Sequence, residues 1–157
     1  MAARTLTYTI NMGKPASQLH VGENVIPFAF NSGATKFGTV SDMALLGKIP
    51  NGALFTGADI YFGVQGSAAS TWTLLMLTTD ADGTFSTYAT LASSGSVTAN
   101  ASTVQQYRFA IPQKVSLSDD RAVQHVVLAL NCTVGPSETA SFSFHGSAKY
   151  LSDGRNV

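Results

Sequence analysis

From Thr71 to Thr79 the chain places large apolar side chains at both parities, Trp72, Leu74 and Met76 on one and Leu75 and Leu77 on the other. Successive side chains of a strand point to opposite faces. Such a segment is stable only centrally in a sheet whose two surfaces are both covered. Asp80-Ala81-Asp82-Gly83 then supplies turn residues, and Phe85 to Leu91 resumes with strand composition, so the pair is expected to form a hairpin.

Other segments show the same period of two. Leu6, Tyr8 and Ile10 alternate with Thr5, Thr7 and Thr9 and predict an opening strand. Val25 to Phe30 predicts another, with Pro27 marking an edge or a bend, and Asn31-Ser32-Gly33 turns the chain. Val40 to Leu46 is read as a strand, although Ser41 or Asp42 could cap a short helix ended by Gly47. Ile49-Pro50-Asn51-Gly52 forms a tight turn before a strand from Ala53 to Val64. Ala92 to Thr103 reads as a small-residue loop, and Val104 to Ile111 as a strand stopped by Pro112. Val123 to Cys132 and Thr139 to Tyr150 read as a hairpin. In its second strand Ala140, Phe142, Phe144, Ala148 and Tyr150 are expected to face inward, opposite Ser141, Ser143, His145, Ser147 and Lys149.

About eight strands with no long helix give an all-β fold, an antiparallel β-sandwich of jelly-roll type. Residues 1–157 are expected to form a single domain, with 1–20 as an extended N-terminal strand or arm and 151–157 as a loose tail.

Charged residues make up 11% of the chain, less than half of the usual ~25%, and Thr and Ser take the polar positions. That exchange favours strands, because Thr suits a pleated surface and both residues compete with helical backbone bonds. Nine basic and nine acidic residues cancel without clustering, which excludes a phosphate-tracking nucleic-acid surface and an anionic-membrane anchor. So few charges leave little repulsion between copies, and point to an assembled state. Cys132 is the only cysteine, so it is expected to be a buried structural thiol. The first ten residues lack the apolar core of a signal peptide, and no run approaches the ~20 apolar residues of a membrane span. The product is expected to be soluble and made in the cytosol. Asn100-Ala101-Ser102 and Asn131-Cys132-Thr133 match a glycosylation pattern that has no meaning without secretion.

Catalytic chemistry finds little purchase. No Gly-x-Ser-x-Gly elbow accompanies the many serines. The histidines are His20, His125 and His145; the expected C-terminal hairpin would bring His125 and His145 close, yet no acidic ligand lies on those strands to complete a metal site. Asp80 and Asp82 resemble half of a calcium loop, but Thr78 stands where the first carboxylate belongs. Asp119-Asp120 beside Arg121 reads as a solvated turn. The expectation is a non-enzyme with no catalytic residues, no cofactor and no metal.

Ile49-Pro50-Asn51-Gly52-Ala53 before an apolar strand, Thr71-Trp72-Thr73-Leu74, Asp80-Ala81-Asp82-Gly83 and a last strand closing on Tyr150 resemble small virion structural proteins of tailed bacteriophages. The resemblance covers roughly Leu46 to Leu151 and is one of pattern. It implies a capsid decoration protein, commonly a homotrimer, on the exterior of a lattice of major capsid protein in a virion assembled in the host cytoplasm. Leu6, Tyr8 and Ile10 would then be candidate intersubunit contacts, with Arg4 and Lys36 among the few charges placed to blunt sheet edges. The alternatives are a tail or baseplate component, a carbohydrate-binding β-sandwich in which Trp72 or Tyr61 stacks on sugar, and a hydrolase on a jelly-roll scaffold; the apolar run around Trp72 places it rather in the core.

Overall fold

The computed structural model of the chain describes residues 5–6, 22–32, 40–63, 69–80, 82–97, 104–117, 125–134 and 142–152. Among them are ten strands and no helix: β1 (Thr5–Leu6), β2 (Gly22–Asn31), β3 (Met43–Pro50), β4 (Leu54–Phe62), β5 (Ser70–Thr79), β6 (Phe85–Val97), β7 (Gln105–Phe109), β8 (Gln113–Lys114), β9 (His125–Val134) and β10 (Ser143–Ser152). They form two sheets, one in the order β1-β3-β9-β5-β6 and the other β2-β10-β4-β7, with β8 also paired to β4.

The eight longer strands pair from the outside in: β2 with β10, β3 with β9, β4 with β7, and β5 with β6, all antiparallel. This nesting results when one long antiparallel hairpin, turning between Thr79 and Phe85, is rolled so that alternate pairs fall in opposite sheets. It is the jelly roll. The turn itself is tight: Asp80 N donates to Thr84 O, Gly83 N to Asp80 O, and Asp82 Oδ1 accepts from Thr84 N. Only β1 departs from antiparallel pairing, lying parallel to β3 with Thr5 opposite Met43 and Leu6 opposite Ala44.

The core lies between the sheets. Phe55, Phe62, Trp72, Phe142 and Phe144 are among its largest fully buried side chains, and the Trp72 ring centroid sits 5.0 Å from Phe142 and 6.0 Å from Phe62. Each such side chain contributes about 1.5–3 kcal/mol by leaving water. Strand β5 is buried on both faces as its sequence demands: Trp72, Leu74 and Met76 join this core, while Leu75 and Leu77 join Leu45, Val127 and Ala129 in a second buried cluster. In β3 the register slips between Leu45 and Gly47, so Ala44 and Leu46 point inward before the slip and Ile49 after it. Gly47 matters there, because a Cβ on it would lie 2.6 Å from Ile26 Cγ2 of β2.

Several expectations change. The C-terminal hairpin does not exist, since β9 and β10 belong to different sheets; β9 takes β3 and β5 as neighbours and β10 takes β2 and β4. The short connection misleads because the rolled hairpin sends alternate strand pairs to opposite sheets, so β9 and β10 fall on different sides of the core. Ala92 to Val97 is strand rather than loop, part of β6, with its irregular register against β5 absorbed by small residues. Gly95 sits there at φ +69°, and Ser94 Oγ accepts the backbone N–H of Trp72 at 3.0 Å. Val40 and Ser41 form a turn, and the strand expected over Val40 to Leu46 runs instead from Met43 to Pro50, so the Asn-Gly turn is confined to Asn51 and Gly52. Leu151 and Ser152 belong to β10, not to a tail. The inward face expected of the last strand is found at Phe142, Phe144, Ala148 and Tyr150. Gly33, Ala140, Ser141 and 153–157 lie outside the described residues.

The sheet edges are blunted by backbone devices. Pro27 sits in the middle of edge strand β2, where it has no N–H to offer a neighbour, and edge strand β6 breaks register with β5 at three places. Arg4 and Lys36, expected in this role, lie outside the described residues.

Candidate interaction surface

The outer face of the β2-β10-β4-β7 sheet carries a group of polar side chains from three strands. Alternation puts Ala58, Ile60 and Phe62 of β4 into the core and leaves Asp59 and Tyr61 on the outside. The same alternation exposes Arg108 of β7, opposite Asp59, and His145 of β10, opposite Tyr61.

Strand β4 bends where this surface opens. Its register against β10 slips so that Lys149 faces Gly57 while Tyr150 faces Phe55, which leaves Thr56 as the extra residue of a bulge. Thr56 Oγ1 donates to Lys149 O at 3.1 Å across the slip. On the other side the ladder runs from Ala58·Phe109 to Phe55·Gln113 and passes over Thr56 and Gly57, because the chain leaves β4 through Ala110, Ile111 and Pro112. Gly57 adopts φ +155°, and a Cβ there would lie 2.5 Å from Phe109 O. Glycine is required by both counts. The gap forms an open groove of about 300 Å³ with Gly57, Phe109 and Ala110 beneath and Asp59, Arg108 and Lys149 at its rim.

Arg108 Nε donates to Asp59 Oδ1 at 2.8 Å, and Gln106 Nε2 reaches the same oxygen at 3.4 Å. The Arg108 hydrogen bond is the main cause holding the Asp59 carboxyl below the usual carboxylate range, and the same bond raises Arg108. Lys149 Nζ stands 3.9 Å from Glu23 Oε1, with both side chains about half exposed. Water screens such a pair, which contributes at most about 1 kcal/mol. The Tyr61 and His145 rings lie parallel, 5.1 Å apart at 7°. Gln106 is the in-register neighbour of Tyr61 on its other side.

Trp72 is fully buried, so it offers no face to a sugar, and one face of the Tyr61 ring is stacked on His145. His125 and His145 are in different sheets and cannot act as the pair that a shared hairpin would have made. Burial first, and Lys48 second, lower the pKa of His125. Burial pushes the Cys132 thiol up to about 12, which fits a structural side chain. Among the described residues no three His, Cys, Asp or Glu side chains gather as a metal site requires. Leu6 lies in β1, whose partner is β3 of the same chain; Tyr8, Ile10, His20, Asp119, Asp120 and Arg121 lie outside the described residues.

Sequence reasoning did not find Asp59, Arg108 or the groove. The signal available was Gly57, a glycine inside a strand, which marks a bulge or a close backbone approach.

No family model matches the chain, and no curated protein matches it in sequence. Among solved structures it is similar to a chain of the infectious bursal disease virus Gt strain, at 14% identity and a TM-score of 0.51 over 86% of this chain and 34% of that one. It is also similar to the VP2 protein of infectious bursal disease virus in derived T=1 particles, at 15% identity and a TM-score of 0.52 over 85% of this chain and 32% of that one. The chain thus spans about a third of the length of these viral proteins. A xylan-binding domain from CBM 22 matches more loosely, at 13% identity and a TM-score of 0.44 over 96% of each chain. The viral likenesses show a shared β-sandwich fold.

Proposed function

We propose that the chain is a non-enzymatic structural protein of a virion, a decoration protein made in the host cytoplasm that seats as a homotrimer on the exterior of a lattice of major capsid protein. The observation that carries this is the nested jelly-roll pairing of a β-sandwich whose fold is similar to that of chains in infectious bursal disease virus particles. The blunted edges of β2 and β6 support it as well, because they direct contact to faces and to the N-terminal arm rather than to open-ended strand addition. Among the described residues β1 pairs with β3 at Thr5 and Leu6, and this strand would exchange between copies, with Leu6, Tyr8 and Ile10 as the intersubunit contacts.

Light scattering and co-sedimentation with capsids from the native source test this directly. The expected result is a trimer that pellets with capsids. Deleting Met1 to Asn11 should leave the circular dichroism of a β-sandwich while dissociating the trimer or abolishing capsid binding. A full-length protein that stays monomeric at high concentration and never pellets with capsids overturns the proposal; a deletion that unfolds the protein overturns the exchange of the arm, because β1 then serves its own sheet.

A further inference from the structure

The groove beside the β4 bulge is a built feature. It exists because Thr56 is inserted, because β7 departs at Ala110, and because Gly57 lets the backbone come within a distance of Phe109 O that any side chain would forbid. Natural bulges of this kind re-aim side chains at places that bind.

The chemistry at its rim is that of carboxylate recognition. A guanidinium presents a fork of donors matched to a carboxylate. Arg108 uses Nε on Asp59, and its two terminal nitrogens make no hydrogen bond among the described residues. Asp59 is held ionised by that bond and so fixes the guanidinium in place. Lys149, 3.9 Å from an exposed Glu23, can turn to a new anion at little cost. A volume of about 300 Å³ is at the lower end for a ligand pocket, enough for one side chain and the backbone that carries it.

We infer that this groove takes an acidic side chain of an extended protein segment, with Arg108 and Lys149 as the recognising cations. A sugar acid would share the carboxylate, but its ring needs an open aromatic face. Tyr61 already has His145 stacked on one face. The inference rests on the capsid-binding proposal only for the source of the segment, which is then the coat lattice.

Fluorescence polarisation with a fluorescein-labelled tetraglutamate peptide, and tetraglutamine as its neutral counterpart, reads the groove without capsids. The Arg108→Gln, Lys149→Gln double variant should bind tetraglutamate at least tenfold more weakly. A Lys48→Gln, Lys114→Gln double variant carries the same charge change elsewhere and should bind within twofold of the parent. Equal loss in both variants, no preference over tetraglutamine, or tighter binding of glucuronate than of the peptide each overturns the inference. Undiminished capsid co-sedimentation by the Arg108→Gln, Lys149→Gln protein overturns the coat lattice as the source and leaves the capsid proposal standing. Selective tetraglutamate binding by a protein that never pellets with capsids supports the groove and removes the capsid proposal instead.

Discussion

The indole N–H of Trp72 donates to Ser70 Oγ at 2.8 Å, and both residues are sealed from solvent. A buried tryptophan nitrogen without a partner is costly, so the serine two residues earlier on the same strand is what lets the largest core side chain enter the sandwich. Ser70→Ala should therefore destabilise by about 1–3 kcal/mol through loss of this buried hydrogen bond, and Trp72→Ala by about 3–5 kcal/mol through the emptied site. Urea denaturation measures both. The folded protein should emit well to the blue of free tryptophan in water.

Gly47 and Ile26 bring the two sheets together at their β3 and β2 margins. Gly47→Ala should cost about 1–3 kcal/mol, because the new methyl meets a β-branched side chain that cannot swing away. Pairing it with Ile26→Ala should cost less than the sum of the two single changes. Strict additivity in that double-mutant cycle would show that the contact is not felt.

At the opposite margin, the Tyr88 hydroxyl of β6 accepts the backbone N–H of Ser116 at 2.9 Å and lies 3.3 Å from Ser116 O and 3.4 Å from Lys114 O. It ties the segment after β8 to the edge of the other sheet. Tyr88→Phe should destabilise by about 0.5–1.5 kcal/mol and speed hydrogen exchange at the Ser116 amide while leaving amides in β9 unchanged.

His125 makes stability depend on pH. Burial, with a smaller contribution from Lys48, holds its folded-state pKa below the unfolded value near 6.5. The unfolded chain then binds the proton more readily, so this contribution is complete above that value and is lost as pH falls through it towards the folded pKa. Melting temperature should drop between about pH 7.5 and 5.5, and His125→Gln should flatten part of that drop. A variant with the parent's full pH dependence would remove His125 as the cause.

Local periodicity carried the strands and their faces, and β5 is the clearest instance. Trp72, Leu74 and Met76 separate from Leu75 and Leu77 in the sequence as they do in the two buried clusters. Partner choice was not legible, because it depends on which faces match once the chain has rolled. Hence β9 and β10 look like a hairpin and are not one. The Ala92 to Val97 strand hid behind small residues whose hydrogen bonds, such as Ser94 to Trp72, appear only with a partner beside them. Asp59 and Arg108 are 49 positions apart, and nothing local to either announces the other.

Nesting also fixes the order in which the molecule can come together. Only the β5·β6 pair at the innermost turn joins neighbours in the chain without a long detour, whereas β2 must wait for β10, where Phe142 N meets Ser32 Oγ across 110 positions. Closing such distant pairs is entropically slow, and domains dominated by them fold in milliseconds to seconds. During synthesis β2 leaves the ribosome many seconds before its partner exists, at roughly 5–20 residues per second. Pro27 therefore guards the strand before folding as well as after it, since the residue that blunts the finished edge also breaks the apolar stretch from Val25 to Phe30 that a nascent chain would offer to another copy of itself.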